Sequence, residues 1–120
     1  MVISQGEIWW ANLSAPRGSE PGHRRPVVIV QRDSINRSAF QTVLVVPLTS
    51  NIKHADIPGN VLLKQGIGGI PRSSLARCTH VMVVDKSRLT EKIGRLSPQK
   101  TQEIIQEIIW VMGADRFSTP

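Results

Sequence analysis

The segment GSEPGHRRP at residues 18–26, with the apolar run VVIV at residues 27–30 behind it, decides how the rest of the chain is interpreted. Its nine residues include two glycines, two prolines, a carboxylate, an imidazole and two guanidiniums. Glycine and proline impose an irregular backbone, and the run that follows is apolar enough to form a buried strand. A loop on such a base can hold charged groups in one geometry, as chemistry on a phosphate requires. The alternative is a solvated hairpin loop whose charges have no role.

Outward from this segment, short apolar runs alternate with turn-forming residues, which predicts a β-rich fold. The predicted strands cover residues 7–13, 26–31, 42–48, 61–63, 92–96 and an extended stretch at 74–85, while residues 32–38 are expected to form a polar turn. We predict a single domain over residues 1–120 with a mainly β (α+β) fold. In it a small, strongly bent antiparallel sheet or partial barrel carries a C-terminal helix.

The predicted helix covers residues 98–112. Ser97 is placed to cap it, Pro98 occupies its first position, and Gly113 follows its end. An apolar stripe at helical spacing is formed by Ile104, Ile105, Ile108, Ile109 and Met112. Trp110 lies off this stripe, so it either contacts another chain or packs beneath the tail that contains Phe117.

The charge balance favours a polyanionic partner. Lys and Arg number 15 against 9 Asp and Glu, for a net charge of +6, which suits nucleic acid or an acidic peptide. Mean hydropathy is −0.10 and no apolar run approaches the roughly 20 residues of a membrane span. The first ten residues lack the features of a signal peptide, and the single cysteine, Cys78, agrees with a reducing compartment. We expect a cytoplasmic protein without a membrane partner, in which Cys78 belongs to the core.

Several kinds of active site are poorly supported. The histidines His23, His54 and His80 are far apart and none has a second metal ligand at helical spacing. The chain has no Gly-x-Ser-x-Gly turn and no Gly-x-Gly-x-x-Gly after a strand. The glycines at 66–69 precede an extended stretch rather than the helix that a phosphate loop requires. No metal and no cofactor is expected.

Two groups of polar residues remain: Glu20, His23, Arg24 and Arg25 in the loop, and Thr49 and Ser50 at the end of a neighbouring strand. Guanidinium is a donor fork that matches phosphate oxygens, and a hydroxyl can donate to an oxygen on which charge develops. A carboxylate or imidazole can move protons. RNA supplies its own nucleophile, the 2′-OH, so this set suits RNA rather than DNA.

Several short motifs follow one another along the chain: GEIW at 6–9, GSE at 18–20, GHRRPVV at 22–28, VPLTS at 46–50, Ser74, VDKSRL at 84–89 and IGRL at 93–96. In this order they closely resemble the MazF/PemK family. The resemblance implies a small SH3-like barrel with a C-terminal helix that forms a homodimer. It also implies a metal-independent endoribonuclease (an mRNA interferase), the toxin of a toxin–antitoxin pair, which cuts single-stranded mRNA and is neutralised by an acidic antitoxin.

The resemblance assigns roles to individual residues. Arg25 matches the family's catalytic arginine, Thr49 its catalytic threonine, and Glu20 a glutamate implicated in some members. Further residues expected to bind RNA are Ser19, His23, Arg24, Ser50, Ser74 and His80. The chain departs from the family at Pro21 and His80, where glutamine is usual, so its base preference is open.

The mechanism expected from these residues leaves one role unassigned. Arginine keeps its proton in proteins, so Arg25 is expected to stabilise charge on the scissile phosphate while Thr49 donates to the same group. The base that activates the 2′-OH is Glu20, His23 or a transiently neutral Arg25. A 2′,3′-cyclic phosphate and a 5′-hydroxyl are the expected products. The rival interpretations are a CcdB-like protein that binds gyrase and a non-catalytic RNA-binding barrel.

Overall fold

The computed structural model describes residues 2–13, 18 and 23–117. In this part of the chain the elements are β1 (Glu7–Leu13), β2 (His23–Ile29), α1 (Asp33–Asn36), β3 (Thr42–Thr49), β4 (Asn60–Leu63), β5 (Ser74–Arg77), β6 (Met82–Asp85), β7 (Leu89–Arg95) and α2 (Pro98–Val111). Short 3-10 turns lie at Ile67–Gly69, Cys78–His80, Lys86–Arg88 and Ala114–Phe117. None of the described helices combines the length and the apolar character that crossing a membrane requires.

The strands form one antiparallel sheet organised around β3. Hydrogen-bonded neighbours follow the order β4-β5-β3-β2-β1-β7, and β6 pairs with the first half of β3. Within the described residues β4 pairs only with β5 and β7 only with β1, so the sheet does not close. The predicted fold class, mainly β with a C-terminal helix, is confirmed, and the barrel that the resemblance implies is incomplete.

Two prolines end the pairing between β2 and β3. The last partners in this ladder are Val27 and Pro47, and Pro26 is the next residue of β2 on that side. Neither proline has an N–H to donate, so the ladder cannot continue through them. β3 instead pairs through its final residues, Leu48 and Thr49, with β5. The end of the β2–β3 pair is therefore left open as a cleft.

β2 begins at His23, three residues earlier than the strand predicted from residue 26. His23, Arg24 and Arg25 were expected in the loop, but they pair with Leu13, Asn12 and Ala11 of β1. The local signal of glycine, proline and charge favoured a loop, whereas pairing with β1 satisfies the backbone of these residues as a strand. The basic residues thus belong to a sheet, in which strand pairing holds their backbone more rigidly than a loop would.

Other boundaries also differ from the sequence prediction. The polar turn expected at residues 32–38 contains the short helix Asp33–Asn36, and the stretch expected to be extended from 74 to 85 is broken by the turn Cys78–His80. The last strand begins at Leu89 rather than at residue 92. Its extra residues pair with β1, including Leu89 opposite Ala11, which is a long-range partner that local patterns do not reveal.

The C-terminal helix begins as predicted. The Ser97 hydroxyl oxygen accepts a hydrogen bond from the Lys100 N–H at 3.1 Å, and Pro98 stands in the first turn. The buried face is formed by Thr101, Ile104 and Ile108. Met112 was predicted on this face and is 62% exposed, because the core contact at that end is made by Val111.

The core divides into two clusters on opposite faces of the sheet. Successive residues of β2 belong to different clusters, because they point to opposite faces of the sheet. Val28 lies in the cluster that packs against α2, and Val27 lies in the other. Cys78 lies fully buried in the first cluster, which confirms its predicted place in the core. Burial, with a smaller effect from Glu107, raises the pKa of the Cys78 thiol to about 12, so the thiol stays protonated and unreactive at neutral pH.

Candidate active site

Arg25 and Thr49 line one cleft of about 400 Å³, at the place where the pairing of β2 and β3 ends. We call it the Arg25–Thr49 cleft. Its lining consists of Trp10, Arg24, Arg25, Pro26, Leu48, Thr49, Ser50, Pro71, Arg72 and Ser74. The two residues expected to act on one phosphate are thus brought together from two separate strands.

The strand register accounts for this meeting. Val27 lies opposite Pro47, and stepping two residues along each antiparallel strand brings Arg25 across from Thr49. Side chains two residues apart in a strand share a face, and directly opposed residues share it too. Arg25 and Thr49 therefore project from the same face of the sheet, on strands that are no longer joined by hydrogen bonds.

The Thr49 hydroxyl is oriented by its own backbone turn. Its Oγ1 accepts a hydrogen bond from the Asn51 N–H at 3.2 Å. An oxygen that accepts in this way still carries a hydrogen that can be donated elsewhere. Thr49 is thus prepared to donate toward an anionic oxygen in the cleft.

Arg25 is a partly desolvated cation. Burial lowers the pKa of Arg25, and the positive charge of Arg77 lowers it further. Both effects disfavour the charged form, yet an arginine keeps its proton at neutral pH. The attraction of an anion placed beside Arg25 would offset both unfavourable effects, which is the behaviour expected of a phosphate-binding group.

Arg24 forms a second basic wall of the cleft. Its guanidinium carbon lies 4.2 Å from the centroid of the Trp10 ring, and its Nη2 lies 3.7 Å from the Glu91 carboxylate. Stacking on an aromatic face fixes a guanidinium while leaving its donors available at the edge. With Arg72, three arginines line the cleft, and none of its described lining residues is acidic.

The remaining predicted residues fall in three places. Ser50 and Ser74 line the cleft, but the Ser74 hydroxyl donates to the Arg72 carbonyl at 2.9 Å, so it holds that turn in place. His23 is exposed at the start of β2 with a φ of 59°, and the cleft lining does not include it. His80 also lies outside the lining; its Nδ1 is 2.9 Å from the Thr79 hydroxyl.

Glu20 and Ser19 lie outside the described residues, so their predicted roles stay predictions. Among the lining residues with a charged or aromatic side chain, two were not predicted as site residues from the sequence, Trp10 and Arg72. Trp10 lies opposite Pro26 and two residues before the partner of Arg24. The register of the β1–β2 hairpin would have identified it, because residues diagonal across a hairpin are within reach of long side chains.

The described residues contain no group of three or more His, Cys, Asp or Glu side chains arranged to hold a metal ion. The described lining of the cleft offers guanidinium, hydroxyl and indole groups. These groups bind and polarise an anion, and the indole offers a flat apolar face beside it. The arrangement suits a substrate that combines phosphate with an aromatic base.

A family model described as "PemK-like, MazF-like toxin of type II toxin-antitoxin system" matches residues 4–112. The chain is 39% identical over 104 residues to endoribonuclease MazF6 of Mycobacterium tuberculosis, covering 87% of this chain and 91% of that protein. Its fold is similar to MazF from Deinococcus radiodurans, with a TM-score of 0.79 at 24% identity over 94% of this chain and 98% of that one. It is also similar to a mycobacterial endoribonuclease in complex with its cognate antitoxin, with a TM-score of 0.71 at 17% identity over 93% and 94% of the two chains.

Proposed function

The chain belongs to the PemK-like, MazF-like toxins of type II toxin–antitoxin systems, and from that premise we propose that it cleaves single-stranded mRNA in the Arg25–Thr49 cleft. The toxin is an endoribonuclease, and its action on mRNA stops translation and growth. The observation that carries the catalytic assignment is the shared cleft, in which a guanidinium and a hydroxyl from two strands face the same space. Both groups stabilise negative charge, which develops on a phosphate under nucleophilic attack.

The proposed reaction is an intramolecular transesterification. The 2′-oxygen attacks the adjacent phosphorus and forms the P–O2′ bond, while the P–O5′ bond breaks. The proton of the 2′-OH passes to a base, and a proton is delivered to the leaving 5′-oxygen. The products are a 2′,3′-cyclic phosphate and a 5′-hydroxyl. Arg25 and Thr49 bind the non-bridging oxygens, and the Trp10–Arg24 pair offers a surface on which a base can stack.

The test is cleavage of single-stranded RNA in the presence of EDTA. Wild-type protein should cut without added metal, because the proposed chemistry uses only side chains and the RNA's 2′-OH. Arg25→Ala should lower the rate about 100- to 1000-fold, as removal of one transition-state donor does. Arg37→Ala is the matched control, since Arg37 follows α1 at the opposite end of β2 and β3. Loss of wild-type cleavage on chelation, or full activity of Arg25→Ala, would contradict the proposal.

The base that activates the 2′-OH is proposed to be Glu20, with His23 as the alternative. If Glu20 is the base, Glu20→Gln should slow single-turnover cleavage while His23→Gln leaves it unchanged. A loss of rate in His23→Gln that Glu20→Gln does not show would assign the role to His23.

The same cleft is the proposed target of the acidic antitoxin. Its three arginines, Arg24, Arg25 and Arg72, attract carboxylates as well as phosphates. Such a segment would occupy the RNA site directly, so the purified antitoxin should abolish cleavage in proportion to its occupancy. The affinity of the antitoxin for the toxin should fall steeply as the salt concentration rises, because the attraction is electrostatic. Undiminished RNA cleavage by a saturated complex would contradict this assignment.

We also propose that the toxin acts in the cytoplasm as a homodimer. Large apolar side chains are exposed near the C-terminal end of α2, with Trp110 at 52% and Phe117 at 73% exposure. Within the described residues the tail does not cover Trp110, which favours the contact with another chain that the sequence left open. A second copy of the helix would remove both side chains and Met112 from water.

A further inference from the structure

A second cavity, of about 340 Å³, begins where the Arg25–Thr49 cleft ends. Thr49 lines both. The other polar side chains of this cavity are Asn51, His54, Asn60, Arg77 and Thr79. We call it the Arg77 cavity. Neither the family match nor the relatives' descriptions assign it a role.

The strand register places the two sites on one face. Leu48 pairs with Ala76 and Thr49 with Leu75, so Arg77 stands across from Pro47, two residues from Thr49. Directly opposed and alternate residues share a face, so Arg77 projects from the face that carries Arg25 and Thr49. Asn60 of β4 pairs with Arg77 and extends the same line. A row of polar side chains therefore crosses four strands from the cleft to the cavity.

The walls of the Arg77 cavity are held in place by hydrogen bonds. The Asn60 side-chain amide donates to the His54 backbone carbonyl at 3.0 Å, which fixes the loop between β3 and β4. The Gly59 N–H donates to the Glu107 carboxylate at 2.9 Å, and the Gly59 carbonyl accepts from the Cys78 N–H at 2.9 Å. The loop is thus tied both to α2 and to the turn after β5. A preformed cavity binds a ligand without first having to order its own walls.

The positive charge of Arg77 favours binding of an anion in the cavity. Arg77 is half-buried and close enough to Arg25 to lower the pKa of Arg25. Among the ion pairs of the described residues none involves Arg77, and none of the cavity's lining side chains is acidic. Two guanidiniums that face one hydroxyl repel each other in the free protein. A chain of phosphates running past both would remove that repulsion.

We propose that the Arg77 cavity binds the nucleotide next to the cleaved bond, with Arg77 on its phosphate and the amide and imidazole groups of Asn60 and His54 facing its base. This inference rests on the proposed function, because it extends the path of the same RNA. Amide and imidazole groups both donate and accept hydrogen bonds, so they can distinguish base edges. An acidic peptide side chain would pair with Arg77, whereas the donors and acceptors that Asn60 and His54 still have available match the edge of a base. RNA is therefore the occupant that fits the whole lining.

The experiment compares Arg77→Gln with wild type on an RNA oligonucleotide that carries a 2′-deoxy sugar at the cleavage position and so cannot be cut. Arg77→Gln should weaken binding about 10- to 100-fold, the effect of one charge-assisted hydrogen bond. The slope of log K against log salt should become shallower by about 0.7, the value for one phosphate of a single strand. Arg77→Lys should restore the salt slope, since it keeps the charge. Arg37→Gln, which removes the same charge far from the site, should change neither quantity.

Shortened oligonucleotides locate the contact. Removing the flanking nucleotide on one side of the cleavage position should abolish the difference between wild type and Arg77→Gln, and removing the other side should leave it. Equal binding of the full oligonucleotide by both proteins, or a difference that survives both truncations, would overturn the proposal. So would a defect confined to binding of an acidic antitoxin peptide. Failure of the proposed function is distinguishable, because it appears as absence of RNA cleavage by the wild type.

Discussion

Thr49→Val is the substitution that most directly tests the shared cleft. Valine keeps the volume and the branched shape of threonine and replaces the hydroxyl with a methyl. The Thr49 side chain is only partly buried, so the change opens no core cavity. What disappears is one donor toward the phosphate and one acceptor for the Asn51 N–H, which lies 3.2 Å from Oγ1.

The two losses have different sizes. Removing one preorganised donor from a developing negative charge costs about 3 kcal/mol of transition-state stabilisation, or about 100-fold in rate. The lost hydrogen bond to Asn51 is exposed and costs about 1 kcal/mol of stability at most. At about 2.1 cal/mol/K per residue, the 120 residues give an unfolding entropy near 0.25 kcal/mol/K, so Tm should fall by no more than about 4 °C. Catalysis should therefore collapse in a protein that remains folded at 25 °C.

The assay is single-turnover cleavage of a labelled RNA oligonucleotide with the toxin in excess, alongside thermal unfolding of the same samples. Thr49→Ser is the matched control, because it keeps the hydroxyl, and it should remain within about tenfold of wild type. Combining Thr49→Val with Arg25→Lys tests whether both groups act on one phosphate. If they do, the fold-reduction in cleavage rate of the double variant is smaller than the product of the fold-reductions of the two single variants. A Thr49→Val protein that cleaves within threefold of wild type would refute the catalytic role of this hydroxyl.

Three further predictions concern stability and assembly. Gly94→Ala should cost at least about 3 kcal/mol, because a Cβ at this position would collide with the Gly68 carbonyl oxygen; denaturant unfolding should show it, and wild-type stability would contradict the contact. Burial acts to raise the pKa of Glu7, but hydrogen bonds, foremost that from Lys92 at 2.9 Å, hold it below its usual value. This stabilisation is therefore present above the unfolded pKa of about 4.3 and is lost as pH falls through the lower folded value. Glu7→Gln should lower the free energy of unfolding by about 2 kcal/mol at pH 7. It should also make the loss of stability below about pH 4 less steep. Trp110→Ser should raise the dimer dissociation constant in sedimentation, and a wild type that stays monomeric at high concentration would contradict the proposed homodimer.

Local patterns predicted the fold class well and its boundaries less well. The cap at Ser97 and the helix after it follow from neighbouring residues alone, and the structure confirms them. The start of β2 at His23 could not be predicted in this way, because its glycine- and proline-rich approach favours a loop. Pairing with β1 overrides that preference. Met112 fits the helical period but lies beyond the part of α2 that the sheet covers.

The residues of the candidate site also fall into those that short segments of sequence predict and those that long-range strand pairing decides. Arg25 and Thr49 were identifiable because their chemistry and motifs are written in short segments, and the structure brings them together, although their catalytic role stays a prediction. Trp10 and Arg77 were not identified from local patterns, since what distinguishes them is the residue across the strand. Each owes its place to a register set by the long-range pairing of β1 with β2 and of β3 with β5.

The sequence by itself determined the side-chain chemistry, the periodicities of strands and helix, the prolines that interrupt pairing, and the motifs of the family. These are properties of a residue and its near neighbours in the chain. Only the tertiary structure decided which cations share a face, which hydroxyl lies in both cavities, and that Arg25 is partly buried and close enough to Arg77 for its pKa to be lowered. The reason is physical: charge interactions and desolvation depend on distances through space, and those are set only when strands distant in sequence pair.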